Sequence, residues 1–427
     1  MSVKAPARLA SWDVLAIGLN AIVGSGIFFF PGTLAALVGP ASILAFIVCA
    51  VLLAAVALCY AELGSMFSGS GGSYLYAREA FGDEAGYGVG VLAWSAALLS
   101  WAAVASLLAG QLAWFHPVFA VPLPGRLAAA GALLLFGWVN LRGLRPASWT
   151  INALTLAKLL PLAIFVLLCL PRAEAARFTP FFAGEGRFSY AVFLALWALQ
   201  GFEVAPVPAG EAADPQKDVP RAVLGSLLAA AVLYALIQAA AVGVHPGLAA
   251  STDHPLTDAA AAALGPWGER LLAGGGVLSM LGFLAGAALG EPRYLQALGE
   301  RHLKGWRLDA VHPVTGVPHR AIIATTAGAA GLVLVLPSMS LVDLSNLAVI
   351  SQYLASAAAV VALRRSRPEA ARPYRMPAVW LTAPAAAGVS LWLMTQVSRA
   401  EFFGTALVLA GAYALKAVVD GPSRLSA

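Results

Sequence analysis

Charge is what this sequence has least of. Asp, Glu, Lys and Arg make up 11% of the 427 residues, where an ordinary soluble domain carries about a quarter. Hydrophobic residues reach 60% and the mean hydropathy is +0.81. So little polar surface cannot dissolve a body of this size, which excludes a soluble enzyme, a disordered chain, a coiled coil and a nucleic-acid partner. The formal net charge of +5 matters less than where the charges fall. Cysteine is scarce too: Cys49, Cys59 and Cys169 each sit within an apolar run with no CxxC spacing. A disulfide framework, a zinc site and a disulfide-linked accessory subunit are therefore not expected. No His or Asp lies near the centre of a long apolar run, and neither HExxH nor GxSxG occurs. An intramembrane hydrolase has nothing to work with, and no metal or cofactor is called for.

What remains is apolar sequence in long stretches. About 20 apolar residues span a bilayer as a helix. Charge and Pro/Gly breaks divide the chain into twelve such runs, at 13–37, 41–66, 85–114, 127–141, 148–170, 189–211, 220–244, 267–298, 319–337, 341–363, 377–397 and 401–419. The first continues well past signal-peptide length, so no cleavable signal is expected. The fourth, between Arg126 and Arg142, is the shortest. With the amino terminus inside, nineteen Lys and Arg residues fall in cytoplasmic segments and six in outer ones. Cytoplasmic loops carry such an excess, so the asymmetry favours an all-α polytopic protein with both termini in the cytoplasm. The Ala/Gly/Arg-rich composition and short tails point to a bacterial plasma membrane.

Ionisable groups inside spans are costly and mark function by default. Lys158 is the one Lys or Arg left deep inside a span, the others falling in loops or near span ends. It lies roughly 15 Å deep, and a lysine stem of about 6 Å does not reach either surface. A structural lysine bonded to carbonyls is one reading; an ammonium bridging broken helices is the sharper one. Glu203 lies mid-span, while Glu62, Glu211 and Glu291 sit nearer cytoplasmic ends, where structural or gating roles are expected. The breaks are visible as well. Gly24-Ser25-Gly26 falls in the middle of the first span, and Gly201, followed by Pro206 and Pro208, in the sixth. Each glycine weakens a helix by about 1 kcal/mol, and freed backbone groups in lipid must find partners. Close packing of small residues explains a single GxG. Matching interruptions in two halves of a chain instead mark the site of an inverted-repeat transporter. An unwound helix presents bare N–H groups at one half and bare carbonyls at the other. Crossing two of them makes a receptor for a zwitterion, with an α-amino acid the obvious ligand.

The motifs GLNAIVGSGIFFFPG, YAELGSMFSGSGGSYLYAREAFG and GFEVAPVPAGEAADPQKDVPRAV resemble the amino acid–polyamine–organocation transporter superfamily, as do VHPVTGVPHRAI and RRSRPEAARPYRMP. The resemblance covers nearly the whole chain. It implies twelve transmembrane helices in one LeuT-like transport domain. Repeats at about 13–170 and 189–363 form a five-plus-five inverted pair, two carboxy-terminal helices follow at about 377–419, and helices one and six are unwound. It also implies secondary transport of amino acids or related amines by alternating access. Carried onto this sequence, amides of Ser25, Gly26 and Ile27 take the substrate carboxylate. Carbonyls of Ile22, Trp197, Ala198 and Gln200 take its amine. Trp197 and Phe202 act as an aromatic gate, and Glu203 links binding or pH to closure. Lys158 matches a lysine of sodium-independent members, which argues against sodium and leaves proton symport and exchange both open. The segment GEPRYLQALGERHLKGW departs from the superfamily pattern after span eight, so no residue is transferred there.

The apolarity of spans three and ten favours neutral amino acids. Cationic amino acids or polyamines, met by Glu203, are the alternative, and Gln200 would admit a polar substrate. A sensor that binds an amino acid without moving it is the rival of another class. No oligomeric state is read from the sequence.

Overall fold

The computed structural model describes residues 8–251 and 253–420. Among them all regular structure is helical, apart from one isolated parallel bridge between Leu9 and Ala212. The first half runs through Ser11–Ile22 (α1), Gly26–Val38 (α2), Ser42–Met66 (α3), Ser73–Phe81 (α4), Asp83–Ala113 (α5), Pro122–Leu141 (α6) and Leu144–Cys169 (α7). The second continues with Phe188–Leu199 (α8), Pro215–Val244 (α9), Pro255–Leu264 (α10), Pro266–Gly290 (α11) and Pro292–Arg301 (α12). It closes with His319–Val335 (α13), Ser338–Ser366 (α14), Val379–Met394 (α15) and Arg399–Asp420 (α16). Among the described residues, 8 helical stretches are long and apolar enough to cross a membrane. Four shorter apolar helices accompany them: Ser11–Ile22 ahead of the first, and Phe188–Val204, His319–Val335 and Val379–Met394 between later ones. This is a multi-pass membrane protein.

Helices lie where apolar runs were expected, with informative departures. The fourth run starts five residues early, at Pro122. Arg126 sits inside the helix and donates from Nη1 to the Leu334 carbonyl at 2.8 Å, so it does not end it. The short helices α4 and α10 fall in segments that read as loops, SGSGGSYLY and STDHPLTD. In α10 the helix opens on Pro255, whose missing N–H costs nothing at a first helical position.

The sixth run departs most. Its α-helix stops at Leu199, and past Gly201 only 3₁₀ turns follow, at Phe202–Val204 and Ala209–Glu211. Pro206 and Pro208 are the cause, since each lacks an N–H and its ring collides with the carbonyl four residues back. The carbonyls of Phe202 and Val204 accept instead from Ala205 at 3.2 Å and Val207 at 3.0 Å, three residues on.

Apolar burial does not drive helices together in lipid, so close approach of small residues must. A Cβ on Gly137 of α6 would lie 2.5 Å from Thr326 Oγ1 of α13. At the end of the bundle holding Leu9, ion pairs tie the elements. Arg364 grips Glu62 through Nη2 at 2.6 Å and Nε at 2.8 Å. Arg367 meets Glu79 at 2.9 Å, and Arg293 meets Glu211 at 3.0 Å. Glu62 and Glu211 are thus held in ion pairs away from the cavity lining, as the structural or gating roles expected of them require.

Candidate binding site

The site starts where α1 ends. Val23, Gly24 and Ser25 leave the helix, and α2 restarts at Gly26. A helix end exposes carbonyls, and a helix start exposes amides. Here the two kinds are treated differently. The Asn20 and Val23 carbonyls accept from the Lys158 ammonium of α7 at 3.1 and 2.5 Å. Ser279 Oγ of α11 donates to Val23 and Gly24 carbonyls at 3.2 and 2.8 Å. The Ile22 carbonyl accepts from Tyr234 Oη at 3.0 Å and from the Gly24 N–H at 2.8 Å. By contrast, the amides of Ser25, Gly26 and Ile27 have no acceptor among the described residues.

Lys158 is fully buried and is held from its own side as well. Asn20 Nδ2 donates to the Ile151 carbonyl at 3.1 Å and to Thr155 Oγ1, one turn before Lys158 on α7. A Cβ on Gly282 of α11 would lie 3.1 Å from Lys158 Cδ. The Lys158 side chain therefore joins the α1 break, α7 and α11 at one point.

The second interruption crosses the first. Gly201 has φ +122°, open to glycine and strained for other residues. A Cβ there would lie 2.5 Å from the Ala21 carbonyl carbon, and one on Gly26 would lie 2.7 Å from Ala198 Cα. The two chains touch backbone to backbone at both points. The carbonyls of Trp197, Ala198 and Gln200 receive no hydrogen bond among the described residues. The crossing thus offers unpaired amides on one segment and unpaired carbonyls on the other.

A cavity of about 60 Å³ opens at the crossing. Ile22, Ser25, Gly26, Trp197, Gln200 and Glu203 line it, joined by Ser100 of α5, Phe283 of α11 and Gln352 of α14. Ile27, Ala198, Phe202 and Lys158 stand behind the lining. Phe202 is stacked on Tyr353 with ring centroids 5.5 Å apart, and both meet Tyr60 edge-on. Of the two aromatics expected as a gate, Trp197 thus faces the cavity and Phe202 packs in this cluster. Glu203 is internally bonded, accepting from the Gly201 N–H at 2.9 Å and Tyr353 Oη at 3.0 Å.

Glu291 also lines the cavity. The sequence places it near a span end with a structural or gating role, because the turn that carries it, α11 into α12, leaves no sign in a single chain. Ser100 and Gln352 were missed for the same reason: helix periodicity alone does not say which face of α5 or α14 meets the break.

The chain matches the model of a family described as amino acid permease over residues 9–405. It is 27% identical to the branched-chain amino acid permease BcaP of Bacillus subtilis, over 87% of this chain and 84% of that protein. It is 26% identical to the methylthioribose transporter of the same organism, over 90% of this chain and 87% of that protein. It is 28% identical to human cationic amino acid transporter 4, over 83% of this chain and 59% of that protein. With its interrupted helices crossing at a cavity, this chain belongs to the amino acid permeases of the amino acid–polyamine–organocation superfamily.

Proposed function

We propose that the protein is a sodium-independent secondary transporter of α-amino acids, working by alternating access in a bacterial plasma membrane. The observation that carries this is the crossing, where unpaired amides and unpaired carbonyls of two broken helices meet beside one cavity. The substrate carboxylate sits on the amides of Ser25, Gly26 and Ile27. Its amine sits on the carbonyls of Trp197, Ala198 and Gln200. Ile22 contributes its side of the wall, its carbonyl being engaged by Tyr234 and Gly24. Trp197 closes over the ligand, and Glu203, bonded to the Gly201 amide and to Tyr353, ties closure to the packing of Phe202.

Twelve spans arranged as two inverted repeats plus two helices, both termini cytoplasmic, suit the order of helices. Sodium independence is supported by Lys158: its ammonium occupies the carbonyls at the α1 break, beside Ser279 of α11, where a coupled cation would otherwise be needed. The test is uptake and counterflow of labelled amino acids in proteoliposomes. Counterflow that is equal in sodium and choline buffers is expected. Net accumulation under a pH gradient assigns proton symport, and counterflow alone assigns exchange. Binding without flux would make the protein a sensor and overturn transport, and sodium-dependent binding would overturn the role of Lys158.

A further inference from the structure

We infer that the cavity selects amino acids with a positively charged side chain, and that Glu291 is the residue that receives the charge. This rests on the amino acid reading above and names the substrate class of that same site.

Glu291 is 3% exposed, lines the cavity, and its Oε2 has no partner. A buried carboxylate without a partner is among the costliest arrangements a protein can hold. The nearby bases are already committed. Arg293, two residues on, is spent on Glu211 and Asn140. Lys158 is spent on Asn20 and Val23, and neither base lines the cavity. Glu203 is the other carboxyl in the lining, and its Oε2 is bonded within the protein. The cavity therefore holds two carboxyls, one without any hydrogen bond among the described residues, and no basic side chain in its wall. A second unpaired acceptor, Gln200 Oε1, faces it from the segment-six side.

The spacing along α11 suits a long side chain. Phe283 of α11 lies against the α1 break, its ring 3.2 Å from where a Gly24 Cβ would be. Glu291 follows eight residues later, about 12 Å along the helix axis. Ala93, Ala96 and Ala97 of α5 line the cavity, and their methyl groups leave room for an unbranched chain. A ligand anchored by its α-carboxylate at Ser25 and Gly26 reaches Glu291 only with a charged group several methylenes out, as in lysine, ornithine or arginine. A small apolar side chain leaves Glu291 unpaired.

The test compares arginine with citrulline, its uncharged isostere, and lysine with norleucine, by binding to purified protein. A ratio of affinities cancels any loss of folded protein. A charge-assisted hydrogen bond predicts that the wild type prefers the charged member by about tenfold or more. Glu291→Gln should reduce that preference to within about threefold, and Glu291→Asp should keep part of it. Equal binding of charged and uncharged members by the wild type overturns the inference while leaving the amino acid reading intact. So does a preference that survives Glu291→Gln. If no amino acid binds the wild type, both readings fall together.

Discussion

Lys158 replaces the hydrogen bonds that the α1 helix loses at its break. Its ammonium holds the carbonyls of Asn20 and Val23, and charged hydrogen bonds contribute about 1.5–3 kcal/mol each. Lys158→Ala should therefore lower amino acid counterflow by at least about tenfold while the protein still inserts and elutes as a single species in size exclusion. Wild-type counterflow in that variant would make Lys158 scaffold alone. Gly201 is subject to a different limit. At φ +122°, a side chain costs about 1–3 kcal/mol in backbone strain, and the Cβ must also displace the Ala21 backbone. Gly201→Ala should lower the thermal-unfolding midpoint and the affinity together. These residues were legible in the sequence because a lone charge and clustered glycines stand out in an apolar run. Glu291 and Gln200 are not legible as a pair, because their shared wall is made by elements far apart in the chain.

At the scale of elements, α3 and α14 are joined through Glu62 and Arg364. Glu62 is fully buried, whereas the Arg364 side chain is 27% exposed. Removing one partner of a buried pair costs about 3–5 kcal/mol, more than removing both, and the exposure of Arg364, with Arg372 a second base 3.6 Å from Glu62, puts this pair at the lower end. Arg364→Met should thus destabilise more than the double variant Arg364→Met/Glu62→Gln, read as unfolding midpoints in one detergent. The α4 helix is tied by Glu79. Burial alone would raise the pKa of its carboxyl, but hydrogen bonds from Arg78 and Arg367 outweigh this and hold it below the ordinary value of 4.5. Its contribution is present above the unfolded value and is lost as pH falls through the lower folded one. The stability gap between the wild type and Glu79→Gln should accordingly be seen at neutral pH and close in acid. The α4 and α10 helices themselves were hidden by turn-like composition. The missing α-helix after Gly201 was hidden for the opposite reason, since Pro206 and Pro208 signal a break without saying what replaces it.

For the molecule as a whole, hydropathy located most of the helices, because lipid forces a chain to close its backbone hydrogen bonds within helices. Which helices touch was not legible, since packing among small residues has no sequence period of its own. Orientation is open to direct measurement. Cys49, Cys59 and Cys169 are buried, so single cysteines can be placed in a nearly silent background. One at Glu185 should react with an impermeant thiol reagent from outside the cell, and one at Glu369 should not. The bridge at Leu9 has a larger consequence. Leu9 accepts from the Ala213 N–H at 2.9 Å and donates to the Glu211 carbonyl at 2.8 Å, while Gly201 and Gly26 fasten the same two segments at the crossing. Two rods riveted at two places cannot swivel against each other, so they travel as one yoke. A covalent staple between positions 9 and 212 should consequently leave the transport cycle running.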